Sequence, residues 1–161
     1  MNTNKNKTEN NDIDVSYRSV QVIDGGELLD DDLIDVGFTE FDEILEKAKI
    51  PALNGLAGRV LDILQKRAGK SGLSIEDIAD EIQLSKRTLQ RHLQQENMHF
   101  GAIRDLVRFN ISIDCLLKKE MTVEETATHL DFADRTSFTY AFKRWANMSP
   151  SVFRKLYRDY V

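Results

Sequence analysis

Lys86, Arg87, Gln90, Arg91 and Gln94 recur at the spacing of one helix face, opposite Leu89 and Leu93. The arginine fork can bond both acceptors on a guanine edge, and glutamine both edge groups of adenine, so this set can discriminate base pairs from the major groove of a duplex. A second set, Arg135, Thr136, Thr139, Tyr140 and Lys143, stands opposite Phe138 and Phe142 in the same way. Lys143, Arg144, Arg154 and Lys155 add cations suited to phosphates, whose neutralisation releases counterions and makes binding fall with salt. Other chemistries lack their parts. His92, His99 and His129 do not fall at metal-ligand spacing with Cys115, the one cysteine, which reads as a small buried hydrophobe. Serine, histidine and aspartate occur without a nucleophile elbow or a glycine-rich phosphate loop, so no catalytic residue, cofactor or metal is expected.

To present such faces, the chain needs helices held at a fixed crossing. A helix-turn-helix requires a small residue where the helices approach, an apolar turn residue, and apolar anchors on the second helix. Ala79, Leu84, Leu89 and Leu93 fill these roles in one segment, and Ala127, Phe132, Phe138 and Phe142 in another. Each segment opens on a capping signature, Ser74-Ile-Glu-Asp77 and Thr122-Val-Glu-Glu125, so a motif is duplicated within the chain. Ahead of them Leu56, Val60, Ile63 and Leu64 mark a helix ended by Gly69 and Gly72. Between them Ile103, Leu106, Val107, Ile113 and Leu117 keep helical spacing from about Phe100 to Lys119. Ser149-Pro150 starts a last helix ending near Tyr160. Phe138, Phe142 and Trp145 share one helical side and read as core rather than as base-stacking groups, while Lys66, Arg67, Lys118 and Lys119 read as solvated cations.

From Leu56 to Arg158 the sequence resembles the AraC/XylS family, through TLQRHL in the first unit, DFADRTSFTYAFKRWANMSPSVFR in the second, and Arg108 on the connecting helix. The resemblance implies double-stranded DNA as partner, with Arg87, Gln90 and Arg91 reading bases in the first unit and Arg135, Thr136, Ser137, Thr139 and Tyr140 in the second. It also implies a bacterial transcription regulator, an activator rather than a repressor, that recruits RNA polymerase. Three residues depart from the family pattern: Asp131 and Asn147 stand where glycine is usual, and Tyr140 where arginine is usual.

Charge divides the chain. Residues 1–57 hold 5 Lys/Arg against 13 Asp/Glu, a net −8, whereas residues 58–161 hold 17 against 14, a net +3. The expected organisation is therefore an acidic, partly disordered N-terminal arm over 1–54 and a DNA-binding domain over 55–161. The fold class is all-α: two helix-turn-helix units joined by a long connecting helix, with about seven helices. In the arm, the first dozen residues are too polar to order, residues 15–23 could form a short strand, and residues 27–49 suit one or two amphipathic helices. Residues 27–49 could instead bind a regulator, RNA polymerase or the chain's own DNA-binding face, which makes a protein-interaction or antagonist module the competing reading. A full effector-binding barrel does not fit in the roughly 55 residues ahead of the domain. With no apolar run of membrane length and no secretory segment, a cytoplasmic, nucleoid-associated protein binding DNA as a monomer is expected.

Overall fold

The computed structural model describes residues 40–160, and every regular element among them is helical. The strand expected at 15–23 and the disorder expected at the N-terminus lie outside the described residues. Helix α1 covers residues 40–48. It is followed by α2 (Gly55–Arg67), α3 (Ile75–Glu81), α4 (Lys86–Gln95), α5 (Phe100–Leu117), α6 (Val123–His129), α7 (Arg135–Ala146) and α8 (Pro150–Tyr157), and a 3-10 turn, Arg158–Tyr160, closes the chain.

Local sequence explains most boundaries. The hydroxyl of Ser74 accepts from Asp77 N and the Asp77 carboxylate accepts from Ser74 N, closing the capping box of α3; Thr122 and Glu125 do the same for α6. Ser85, Asp134 and Ser149 cap α4, α7 and α8. Asn147 ends α7 at φ 58°, a left-handed conformation that asparagine tolerates better than most residues. Removing one capping oxygen, Ser74→Ala, should cost about 1 kcal/mol. Urea unfolding would read it as a lower midpoint at unchanged slope.

Helix α2 is different, because its own N-cap residue, Asn54, makes no side-chain cap. Glu96, just beyond α4, supplies one from 39 and 40 residues away: its carboxylate accepts from Ala57 N at 2.8 Å and Leu56 N at 2.9 Å. Gly55 sits against that carboxylate at φ +63°, where a Cβ would meet Oε1 at 2.7 Å. These bonds hold the Glu96 carboxyl below its ordinary 4.5. Asp77, bonded mainly by the Ser74 side chain, Glu125 by Thr122 N, and Asp134 by Ser137 N are lowered likewise. Carboxyls with depressed folded values stabilise fully above their unfolded values and lose that contribution as pH falls through the folded ones. Acid unfolding should therefore set in below pH 4.5, and Glu96→Gln should flatten the pH dependence in a circular-dichroism titration.

The core forms two clusters that share α5. Phe100, Ile103 and Val107 of α5 pack with Val60, Leu64, Ile78, Leu89 and Leu93 around the first unit. Further along the same helix, Phe109, Ile113, Leu116 and Leu117 pack with Leu130, Phe138, Phe142 and Phe153 around the second. Ile111 touches both. At 18 residues, α5 is about 27 Å long, a beam carrying one unit at each end. Cys115 is fully buried within it, and burial pushes its thiol up.

Helix α1, assigned by its acidic sequence to the arm, is docked on the second unit. Phe41 stacks on Tyr157 at 4.7 Å and lies 6.2 Å from Phe153; Ile44 and Ala48 are buried beside it. Asn110 Nδ2 donates to the Ala48 carbonyl at 3.1 Å, satisfying an acceptor at the end of α1. Its apolar face is thus occupied within the chain. Arg67, read as a solvated cation, instead bridges α2 to α3, donating to Glu81 at 2.7 Å and to the Gly72 carbonyl at 3.0 Å.

Candidate nucleic-acid interface

The two faces singled out by spacing emerge from the same construction. In the first unit, Leu84 N donates to the Ala79 carbonyl at 2.9 Å across the turn, and in the second, Phe132 N donates to the Ala127 carbonyl at 3.0 Å. Ala79 and Ala127 are buried where the helices approach. The second turn is one residue longer, since Ala133 separates Phe132 from the cap Asp134 whereas Leu84 directly precedes Ser85.

On α4, Leu89 and Leu93 point inward at 0% and 1% exposure, which forces Lys86, Arg87, Gln90, Arg91 and Gln94 outward, where all five are exposed. Arg87, Gln90, Arg91 and Gln94 border one surface depression. Among the described residues neither Arg87 nor Arg91 has an acidic partner within 4.0 Å. Lys86 does: its Nζ lies 2.6 Å from Glu76 of α3, and this bond holds the Glu76 carboxyl below the usual range.

On α7, Phe138 and Phe142 are fully buried and turn Arg135, Thr136, Ser137, Tyr140, Lys143 and Arg144 to the surface. Thr139 is half-buried, while Tyr140 is 70% exposed despite its ring. Arg144 is engaged by Asp105 of α5 at 2.7 Å. Trp145 lies half-buried, 5.4 Å from Phe109, on the inner side of the helix. The expected residues thus form two outward faces, with Lys86 and Arg144 at their margins already paired to acids.

Arg108 holds the second face in place. Its Nε donates to the Leu130 carbonyl at 2.9 Å, its Nη2 donates to the Asp131 carbonyl, and the guanidinium lies 4.1 Å from the centre of the Phe132 ring. Burial lowers its pKa to about 10, so it stays cationic at neutral pH. This cation satisfies the orphan carbonyls at the end of α6 and fastens the turn to α5. Sequence spacing does not reveal that role, although a charge between Val107 and Phe109, at a position that also carries the family resemblance, marks the residue.

Comparison with known proteins agrees with this architecture. A family described as a helix-turn-helix domain matches residues 78–156. An HTH-type transcriptional regulator of Mycobacterium tuberculosis is 33% identical over 87 residues, covering 53% of this chain and 25% of that protein. The ornithine utilization regulator of Pseudomonas aeruginosa is 31% identical over 108 residues, covering 67% and 32%. The crystal structure of the transcriptional regulator CdpR from Pseudomonas aeruginosa superposes with a TM-score of 0.58 at 28% identity, covering 63% of this chain and 32% of that one. The chain therefore spans a quarter to a third of the length of these proteins.

Proposed function

We propose that this chain, whose residues 78–156 match a helix-turn-helix family, is a sequence-specific double-stranded DNA-binding transcription regulator of the AraC/XylS type. The observation that carries the reading is the exposure of Arg87, Gln90 and Arg91 on α4, free of acidic partners among the described residues, while Leu89 and Leu93 anchor the helix. In this reading α4 and α7 enter successive major grooves on one side of the duplex, so one chain reads two boxes without dimerising. Arg87, Gln90 and Arg91 read the first box. Arg135, Thr136, Ser137, Thr139 and Tyr140 read the second, where the exposed Tyr140 offers ring surface to a thymine methyl in place of an arginine fork. Lys143 and Lys155 hold phosphates, joined by Arg154, whose Nη1 also donates to the Met121 carbonyl at 3.0 Å. Lys86 and Arg144 reach the duplex by exchanging their acidic partners for phosphate. Activation through contact with RNA polymerase is the regulatory outcome that the family resemblance favours.

Selection of bound duplexes from a random library at moderate salt tests the reading. A recovered site with two boxes about one helical turn apart is the expected result. Recovery of no preferred sequence would overturn it. No described helix is long and apolar enough to cross a membrane.

A further inference from the structure

The turn between α6 and α7 is fastened at three points. Arg108 grips its carbonyls from α5, as described above. The other two fastenings reach the loop between α2 and α3, which belongs to the first unit. The Asp131 carboxylate accepts from Leu73 N at 2.8 Å, across 58 residues of sequence, and Gly69 N donates to the His129 carbonyl at 3.0 Å. Gly69 is required there. At φ +74° its backbone suits glycine, and a Cβ would meet the His129 ring at 2.1 Å from Cε1.

Asp131 itself adopts φ 57°, the left-handed conformation that favours glycine. The chain thus carries a strained non-glycine residue whose side chain bonds the opposite unit next to Ser74, the cap of α3. Because α3 packs on α4 and α6 packs on α7, a bond between the α2–α3 loop and the α6–α7 turn constrains one recognition helix relative to the other. Packing along α5 alone leaves each unit able to roll on the surface of that helix. A second attachment off that helix removes the roll.

We propose that Asp131 is a positioning residue that locks the two helix-turn-helix units at one relative orientation, and so makes the protein selective for the spacing between the two boxes of its DNA site. The inference rests on the DNA-binding reading above, which supplies the two boxes. One base pair inserted between boxes turns the second by about 35° around the duplex axis. A locked pair of units must then bend or twist the DNA, or surrender contacts, whereas an unlocked pair follows the box.

The test uses the full chain and a duplex selected from the random library, rebuilt with one base pair inserted or removed between its boxes. Asp131→Gly keeps the left-handed backbone, removes the carboxylate, and relieves strain, so it folds. Asp131→Asn keeps an acceptor oxygen for Leu73 N. Wild type should bind the altered spacings about tenfold more weakly than the selected one, the order of a lost base contact. Asp131→Gly leaves the Gly69–His129 backbone bond, a single pivot between the α2–α3 loop and the end of α6, so the units can turn about it and all spacings should come within about threefold of one another, and Asp131→Asn should restore the wild-type profile. An unchanged spacing profile in Asp131→Gly overturns the lock. If wild type selects no duplex, the DNA-binding reading is what fails. The lock is then judged by residual dipolar couplings of the free protein, which should report one inter-unit orientation in wild type and averaging in Asp131→Gly; equal couplings in both reject it.

Discussion

Phe142→Ala is expected to cost about 3–5 kcal/mol of stability, enough to unfold the second unit at ordinary temperature. Phe142 has no exposed surface and stands at the centre of an aromatic network. Its ring lies 5.9 Å from Phe109 on α5, 5.7 Å from Phe138 on α7 and 5.2 Å from Phe153 on α8, all near edge-to-face. Truncation removes the transfer energy of the ring, the aromatic pair interactions and the contacts around the cavity it leaves. Three helices converge on this ring, so collapse onto the void would need a concerted shift of α5, α7 and α8. The first unit keeps its own cluster around Leu64, Ile78 and Leu93. Circular dichroism at ordinary temperature should show part of the helical signal already lost, with the remaining helix of the first unit still melting cooperatively on heating. A wild-type melting curve would mean that the cluster is far less tightly packed than the ring geometry indicates.

Arg91→Ala is expected to weaken binding to the selected duplex by about 1–3 kcal/mol, roughly five- to 150-fold, while leaving binding to unrelated DNA nearly unchanged. Arg87→Ala should act similarly at a neighbouring base. Both side chains are exposed and free of acidic partners among the described residues, so their removal breaks no ion pair there, and the variants should fold as wild type does. Lys155→Ala is the contrasting case. A phosphate contact carries no sequence information, so its loss should weaken all duplexes alike and reduce the salt slope by about one. Competition titrations at several salt concentrations separate the two patterns. Selectivity untouched by Arg91→Ala would place the reading face elsewhere.

Much of the architecture is legible in the amino-acid sequence. The capping boxes at Ser74 and Thr122 announce helix starts because a cap is a local bond, closed within three residues. The outward faces of α4 and α7 follow from Leu89, Leu93, Phe138 and Phe142, since helical geometry ties the direction of each side chain to its position in the repeat. The reading of Cys115 and of the Phe138–Phe142 side as core rests on the same periodicity, and both are buried. Helix α1 was visible as an amphipathic stretch, yet nothing in its own pattern distinguishes an apolar face docked on Tyr157 from one awaiting a partner.

By itself, then, the amino-acid sequence determined the helices, their duplicated arrangement and the side chains each one turns outward, because these depend on interactions among residues a few positions apart. Only the tertiary structure decided that Glu96 caps α2, that Arg108 anchors the α6–α7 turn, that α1 seats on α8, and that Asp131 bonds the opposite unit. Those partners lie roughly 20 to more than 100 residues apart along the chain, and a bond at such separation leaves no period in the sequence; it exists only once the packed core has brought the two segments together.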